Sequence, residues 1–250
     1  MAQLPIAVQL YTIRDTTKSD FAAAMKQVAK IGYAGVELAG YGNLKTASEV
    51  RKVLDDAGLQ TAGMHVVIEQ MERDMTQVLD DAETLGCRML VCPYWPKLRR
   101  TMWDWVAGEL SIAAAAAHQR GITFAYHNHA FEFEPVGNER GMDILWNTAS
   151  DLVKAELDDY WVTAGGDDPV AYIRKIAHRM VAVHLKDMSD TKPAKFANVG
   201  CGILDIPAIV QASIEAGARW GVVEQDECYG QDPMDAIRVS FENLKQMGLA

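Results

Sequence analysis

The side chains best suited to metal or proton chemistry in this 250-residue chain recur in one kind of place, the polar end of a short apolar run. Tyr126-His127-Asn128-His129 sets two imidazoles two residues apart, with Glu132 and Glu134 close behind. Further on, Glu156-Leu157-Asp158, His184-Leu185-Lys186-Asp187 and Glu224 close similar runs; earlier, Gln9 with Tyr11, Glu37, His65, and Tyr94 with Trp95 do the same. Four of the six histidines fall in this set, and the other two, His118 and His178, lie in helical patterns. Imidazole and carboxylate donors are what Mn, Co, Zn or Mg take as ligands. The same groups carry protons near neutral pH.

The elements that must hold these residues follow from periodicity. Ile122, Phe124 and Tyr126 alternate with Thr123, Ala125 and His127, the period of a pleated strand, so His127 and His129 share a face. Strands are expected near Ile6–Leu10, Gly35–Leu38, Thr61–His65, Met89–Cys92, Thr123–His127, Lys154–Asp158, Val181–Leu185 and Gly221–Glu224. Helical patterns separate them, near Asp20–Ile31, Ala47–Ala57, Met71–Leu85, Met102–Arg120, Met142–Thr148, Pro169–Ala177, Pro207–Glu215 and Pro233–Met247. Proline at the start of the last three suits a first helical turn. Glycine punctuates the passage from helix to strand, as in KIGYAGVEL, TLGCRMLVCP and QRGITFAYHN. Strict alternation at about thirty residues per unit, with no Pro/Gly/Ser-rich linker, gives one (β/α)8 barrel over residues 1–250. A doubly wound open sheet fits less well, because Gln9-Leu10-Tyr11-Thr12 stands where a Gly-rich phosphate loop would follow the first strand.

Composition narrows the partners. A hydrophobic share of 49% and a charged share of 23% describe an ordinary globular protein. The formal charge of -10, spread along the chain, excludes a basic field for nucleic acid or anionic membrane. No apolar run approaches the ~20 residues that span a bilayer, and MAQLPIAVQL lacks a basic leader region, so a cytoplasmic location is expected. Cys87, Cys92, Cys201 and Cys228 show no Cys-x-x-Cys spacing and imply neither a disulfide framework nor structural zinc. Cys92 and Cys228 read as buried, inert thiols.

In a barrel the strand carboxyl ends face the active site. The last four ends then offer His127 or His129, Glu156 or Asp158, His184, and Glu224, an N, O, N, O set on rigid strands. Asp158 lies nearer the end than Glu156 and is the favoured ligand. Lys186 and Asp187 read as a surface ion pair, and Arg99-Arg100 as a solvated pair. Trp95 and Trp161 are candidate platforms for a sugar face, whereas Trp103 and Trp105 read as helix packing. With Met102, those two tryptophans could also supply an apolar patch for a homodimer. Gly200-Cys201-Gly202 lets backbone approach a ligand closely, or simply turns the chain.

Over nearly its whole length the chain resembles the xylose-isomerase-like TIM barrels grouped as the sugar phosphate isomerase/epimerase family. QLYTIRD (9–15), GVEL (35–38), YHNHAFEF (126–133), ELDDYWV (156–162), AGGDDP (164–169), HLKD (184–187), GCGILDIPAI (200–209) and VEQDE (223–227) carry the resemblance. It implies one divalent metal held by His127, Asp158, His184 and Glu224, with His129 as the alternative on strand five. Two positions depart from the family pattern. Epimerase members carry a glutamate, in a pattern like ALENH, where His127 stands, and Trp161 occupies a place where many members have a histidine. The YHNH run is similar instead to inosose dehydratases and related keto-sugar branches. Exchanging a glutamate for His127 makes the metal and its ligands about one unit less negative, so the metal would be a stronger Lewis acid.

The expected protein is therefore a metal-dependent sugar or keto-sugar (polyol) isomerase or epimerase of carbohydrate metabolism, working through a metal-stabilised enediolate. The alternative is a keto-sugar or inosose dehydratase or lyase on the same site. In either, Glu224, His129 and Lys186 would move protons, with Glu132 a further candidate, while Gln9, Glu37, His65, Trp95 and Trp161 bind substrate. An endonuclease IV-like phosphodiesterase is disfavoured by the acidic charge, and a non-catalytic sugar-binding barrel would show no metal dependence.

Overall fold

The computed structural model describes residues 3–250, apart from the side chain of Arg99. Eight strands form a closed parallel ring in sequence order: β1 (Ile6–Gln9), β2 (Gly35–Leu38), β3 (Gln60–His65), β4 (Met89–Cys92), β5 (Thr123–His127), β6 (Val153–Asp158), β7 (Met180–Leu185) and β8 (Trp220–Val223), with β8 pairing back onto β1. Helices α1 (Arg14–Ile31), α2 (Ala47–Ala57), α3 (Ile68–Thr84), α4 (Trp103–Gln119), α5 (Gly141–Thr148), α6 (Asp159–Ala164), α7 (Pro169–Lys175), α8 (Ile206–Glu215) and α9 (Pro233–Gln246) surround it. This is a (β/α)8 barrel. Strands β1, β2 and β4 are buried along their full length, which is why they read as continuous apolar runs rather than alternations.

The barrel interior is layered. Small and branched side chains, among them Ala7, Ala62, Val91, Ala125, Ala182 and Val222, fill the lower part around Trp220. Polar residues occupy the carboxyl-terminal layer, and the strand register sets them side by side. Gln9 pairs with Glu37, His127 with Glu156, and Asp158 with His184. Gly63 makes the layer possible, because a Cβ there would collide with the Glu37 carboxylate.

Several helix starts are fixed by side-chain caps. Asp168, Asp205 and Asp232 accept backbone N–H groups ahead of Pro169, Pro207 and Pro233, and Thr46 with Glu49 forms a capping box on α2. Two helices begin earlier than their periodicity suggests. Each of α1 and α3 carries a non-helical aspartate, Asp20 and Asp74, whose carboxylate caps the following turn at Ala23 and Gln77. In α1 the apolar period marks only the second segment; in α3 it starts at Met71 and runs across the kink. Helix α6 has six residues, too few for a periodic signal, and Asp158 caps it by accepting from Trp161 N at 2.8 Å.

Trp103 is buried at 2% exposure, so the expected apolar patch reduces to Met102 and Trp105. Among the described residues no helix is long and apolar enough to cross a membrane.

Candidate metal centre

At the carboxyl end of the barrel, one ligand atom from each of His127, Asp158, His184 and Glu224 lies within 4.8 Å of every other. Nδ1 of His184 is 2.9 Å from Glu224 Oε2, and Nε2 of His127 is 3.7 Å from Asp158 Oδ2. The opposite ring nitrogens are held from below. His184 Nε2 meets Glu37 Oε2 at 2.7 Å and Glu156 Oε2 at 3.1 Å. His127 Nδ1 meets the same Glu156 oxygen at 3.2 Å, and His65 Nε2 reaches it at 2.8 Å. Gln9 Nε2 donates to Glu37 Oε2 at 2.8 Å. For His127 this fixes the ring and leaves Nε2 for a ligand, the arrangement that supports metal-bound histidines; His184 is engaged by carboxylates on both nitrogens, so a metal there would take the place of its Nδ1 proton.

Lys186 is buried among carboxylates, its Nζ 3.1 Å from Asp158 Oδ2, 2.9 Å from Glu224 Oε2 and 3.0 Å from Asp226 Oδ1. The Asp158 contact is a charge contact only, for Oδ2 accepts no hydrogen bond although fully buried. Three carboxylates around one ammonium leave an excess of negative charge, which a divalent ion would offset. With an acceptor unused and N, O, N, O donors converging, these residues fit such an ion. A second group, His65, His127, Glu156 and His184, also converges within 4.8 Å.

Charge is partitioned sharply. Burial works against the His184 cation, but Glu156 and Glu37 outweigh it and hold the ring protonated well above the usual histidine range. His65 is raised to about 10 by the same two carboxylates against the same burial. Burial and the His184 cation push His127 well below its ordinary value, and burial with Lys186 takes His129 down to about 3. Both are neutral imidazoles, the form that ligates or accepts. Burial opposes the Glu224 anion, yet Lys186 and His184 hold it well below the usual carboxylate range. Asp226 is pushed up to about 6 by burial and by Glu224.

A cavity of about 420 Å³ opens above the cluster. Of the residues expected to act there, His65, His127, His129, Lys186 and Glu224 line it. Gln9 and Glu37 do not; both are fully buried, Glu37 bracing His184 from beneath and Gln9 donating to Glu37. Trp95 is also fully buried, packed edge-on against Trp105 at 5.7 Å, because the turn after β4 points it into the core and leaves Tyr94 at the mouth. Trp161 stands behind His129, its ring centroid 5.3 Å away, and packs on Tyr160 and Phe196. Glu132 faces away from the cavity, accepting from Tyr126 Oη at 2.7 Å and His129 N at 2.8 Å.

The surface pair expected of Lys186 and Asp187 is not formed. Asp187 is buried and accepts backbone N–H groups of Met188, Gly200, Gly202 and Leu204, so the Gly200–Gly202 turn wraps a carboxylate. Arg100 is likewise engaged, stacking 3.3 Å from the Phe131 ring centroid and donating to Trp95 O; the Arg99 side chain lies outside the described residues. Cys92 is buried and Cys228 half-buried. Two residues gain weight that sequence did not give them. Glu156 joins three histidines, a place its parity with Asp158 permits, and Asp226 lines the cavity two residues past Glu224.

The model of the xylose isomerase-like TIM barrel family matches residues 25–247. The chain belongs to that family. Among curated members, the rhizopine catabolism protein MocC of Rhizobium meliloti is 26% identical over 266 residues, covering 90% of this chain and 81% of that protein. An inosose dehydratase of Clostridium beijerinckii is 24% identical over 195 residues, covering 68% of this chain and 64% of that protein. A crystal structure of a sugar phosphate isomerase/epimerase from Parabacteroides distasonis superposes with a TM-score of 0.85 at 22% identity, covering 98% of this chain and 94% of that one. At such identities the structural likeness speaks for the fold; family membership rests on the match to residues 25–247.

Proposed function

We propose that this family member is a divalent-metal-dependent enzyme acting on a small keto-sugar or keto-polyol. It removes a proton from the carbon next to the carbonyl and expels an oxygen substituent from the carbon beyond. One observation carries the choice of elimination over epimerisation. The carboxylates lining the cavity, Glu224 and Asp226, both belong to the end of β8, while His127 and His129, from the end of β5, are made weak bases by burial. Proton exchange on two opposite faces needs a base on each. The arrangement favours one face, which suits elimination or single-face isomerisation. The dehydratase activity named for the Clostridium relative agrees with this.

When bound, a Mn, Co, Mg or Zn ion would polarise the carbonyl and offset charge that develops on its oxygen. His127, Asp158, His184 and Glu224 would hold it. Glu224, kept anionic by Lys186 at 2.9 Å, is better fitted to ligate than to accept a proton. Asp226, near 6, is matched to exchange one at neutral pH, and the base role expected of Glu224 passes to it. Lys186 Nζ is placed to protonate the departing oxygen.

The test is turnover of keto-inositols and ketoses by the Mn- or Co-loaded enzyme in deuterated water, followed by NMR. An unsaturated product that disappears in Asp226→Asn is expected. Deuterium entering both epimers without loss of water would overturn the reading.

A further inference from the structure

The cavity has two unlike walls. Strands β5, β7 and β8 supply His127, His129, Lys186, Glu224 and Asp226. From the ends of β1 to β4 come Tyr11, Ala39, Val67, Pro93 and Tyr94, together with His65. Tyr11 and Tyr94 are 45% and 40% exposed, large values for aromatic rings beside a buried charged cluster. One face of Tyr11 carries the Arg14 guanidinium at 4.2 Å, which braces the ring against the loop.

A free sugar or cyclitol is a poor match to such an enclosure. Every hydroxyl turned toward Ala39, Val67 or Pro93 would lose water without a side-chain partner, at about 1–3 kcal/mol each. A volume of about 420 Å³ lies within the range of pockets that bury drug-sized ligands. Resting on the eliminating reaction proposed above, we infer that the substrate carries a ring on the oxygen it loses. The sugar ketone occupies the polar wall, and the ring, an aryl group or the apolar face of a second pyranose, lies between Tyr11 and Tyr94.

The chemistry balances without an external oxidant. Base takes the proton from the carbon between the ketone and the anomeric carbon. A carbon–carbon double bond forms there as the anomeric C–O bond breaks, and the electron pair leaves with the oxygen. That oxygen is protonated and departs as an alcohol or phenol, leaving an enone. The reaction thus cleaves a glycoside whose ketone lies two carbons from the anomeric centre. An oxidation of the sugar hydroxyl at that carbon must supply the substrate, and hydration of the enone would consume the product.

The Mn-loaded enzyme is given phenyl 3-keto-glucoside, a 3-keto-disaccharide and 3-keto-glucose, and phenol, sugar or water loss is followed by NMR. Higher kcat/KM for a ring-bearing substrate than for 3-keto-glucose is expected, and whichever of the two is faster identifies the ring. Tyr94→Ala and Tyr11→Ala should each shrink that preference by about tenfold, and Tyr94→Phe should restore it. Independently, saturation transfer to the phenyl protons of phenyl glucoside should occur with metal-free protein and vanish in Tyr94→Ala. If 3-keto-glucose is turned over as well as either substituted sugar, or the tyrosine variants slow all substrates alike, the ring subsite is wrong. Saturation transfer that depends on Tyr94 while no substrate turns over would uphold the subsite and sink the elimination instead.

Discussion

Strands β1 to β4 and strands β5 to β8 are built on the same plan of apolar run and polar closing residue, yet they deliver different things to the barrel mouth. In the first half the acidic closing residue, Glu37, sits within its strand and is fully buried, so it braces neighbours while the cavity wall falls to Tyr11, Val67 and Tyr94. In the second half Lys186, Glu224 and Asp226 stand just past their strands and reach the cavity themselves. The difference teaches that depth along the strand decides a role as much as residue type does. A carboxylate one layer down orients histidines; the same group one or two residues later meets a ligand.

The largest effect should come from breaking the second half. Asp158→Ala and His184→Ala are expected to lose bound metal by elemental analysis and at least about 10²-fold in activity. Metal retained at wild-type occupancy in both variants would end the assignment. The polar half should also set much of the protein's pH sensitivity. Burial raises the Glu132 carboxyl to about 7 from an ordinary 4.5, so between those values the folded state holds a proton that the unfolded chain has released. Its stabilisation is present below 4.5 and is lost as pH rises through about 7, a swing of about 3 kcal/mol. Burial of His129 acts in the opposite sense below 6.5, so the informative quantity is the stability of wild type minus that of Glu132→Gln. That difference should fall between pH 5 and 8; a flat difference would mean the carboxyl is not desolvated.

Much of this architecture was legible because apolar runs and proline or aspartate punctuation are local signals. All eight strands lie within about a residue of where period and composition put them. The ligand candidates were legible for the same reason, since strand parity places His127, Asp158 and His184 inside the barrel. What stayed hidden depends on register or on turns. Glu156 and Asp158 share parity, and only pairing across β5, β6 and β7 shows that one serves the histidines from below. The burial of Lys186 stayed hidden because the carboxylates around it come from the ends of β6 and β8, far from it in sequence. The direction of Trp95 is set by the turn after β4, which no periodicity reports.

A milder change probes the support beneath the metal ligands. Glu156→Gln keeps shape but weakens the acceptor that fixes His127 and His184. Metal affinity, measured by chelator competition, should fall about 10- to 100-fold while the fold is kept. An unchanged affinity would show that ring orientation is set by packing alone.

The smallest expected effect asks to which half the metal belongs. Two candidate sets share His127 and His184; one adds Asp158 and Glu224 above, the other His65 and Glu156 below. If the ion sits above, His65 touches it only through Glu156 and Glu37, at 2.8 and 3.0 Å. His65→Gln should then weaken metal binding by less than about tenfold, under the range for residues that hold a ligand directly, while Asp158→Asn removes it. The reverse ranking would move the ion into the lower layer, make the first half of the barrel a ligand donor, and leave Asp158, Glu224 and Lys186 as a salt-bridged cap over it. The upper set is the better match on present geometry. Asp158 Oδ2 and Glu156 Oε1 are alike in lacking a hydrogen-bond donor, but Glu156 Oε2 is already engaged by three imidazole nitrogens within 3.2 Å, and the upper set alone places a carboxylate, Glu224, on the cavity wall.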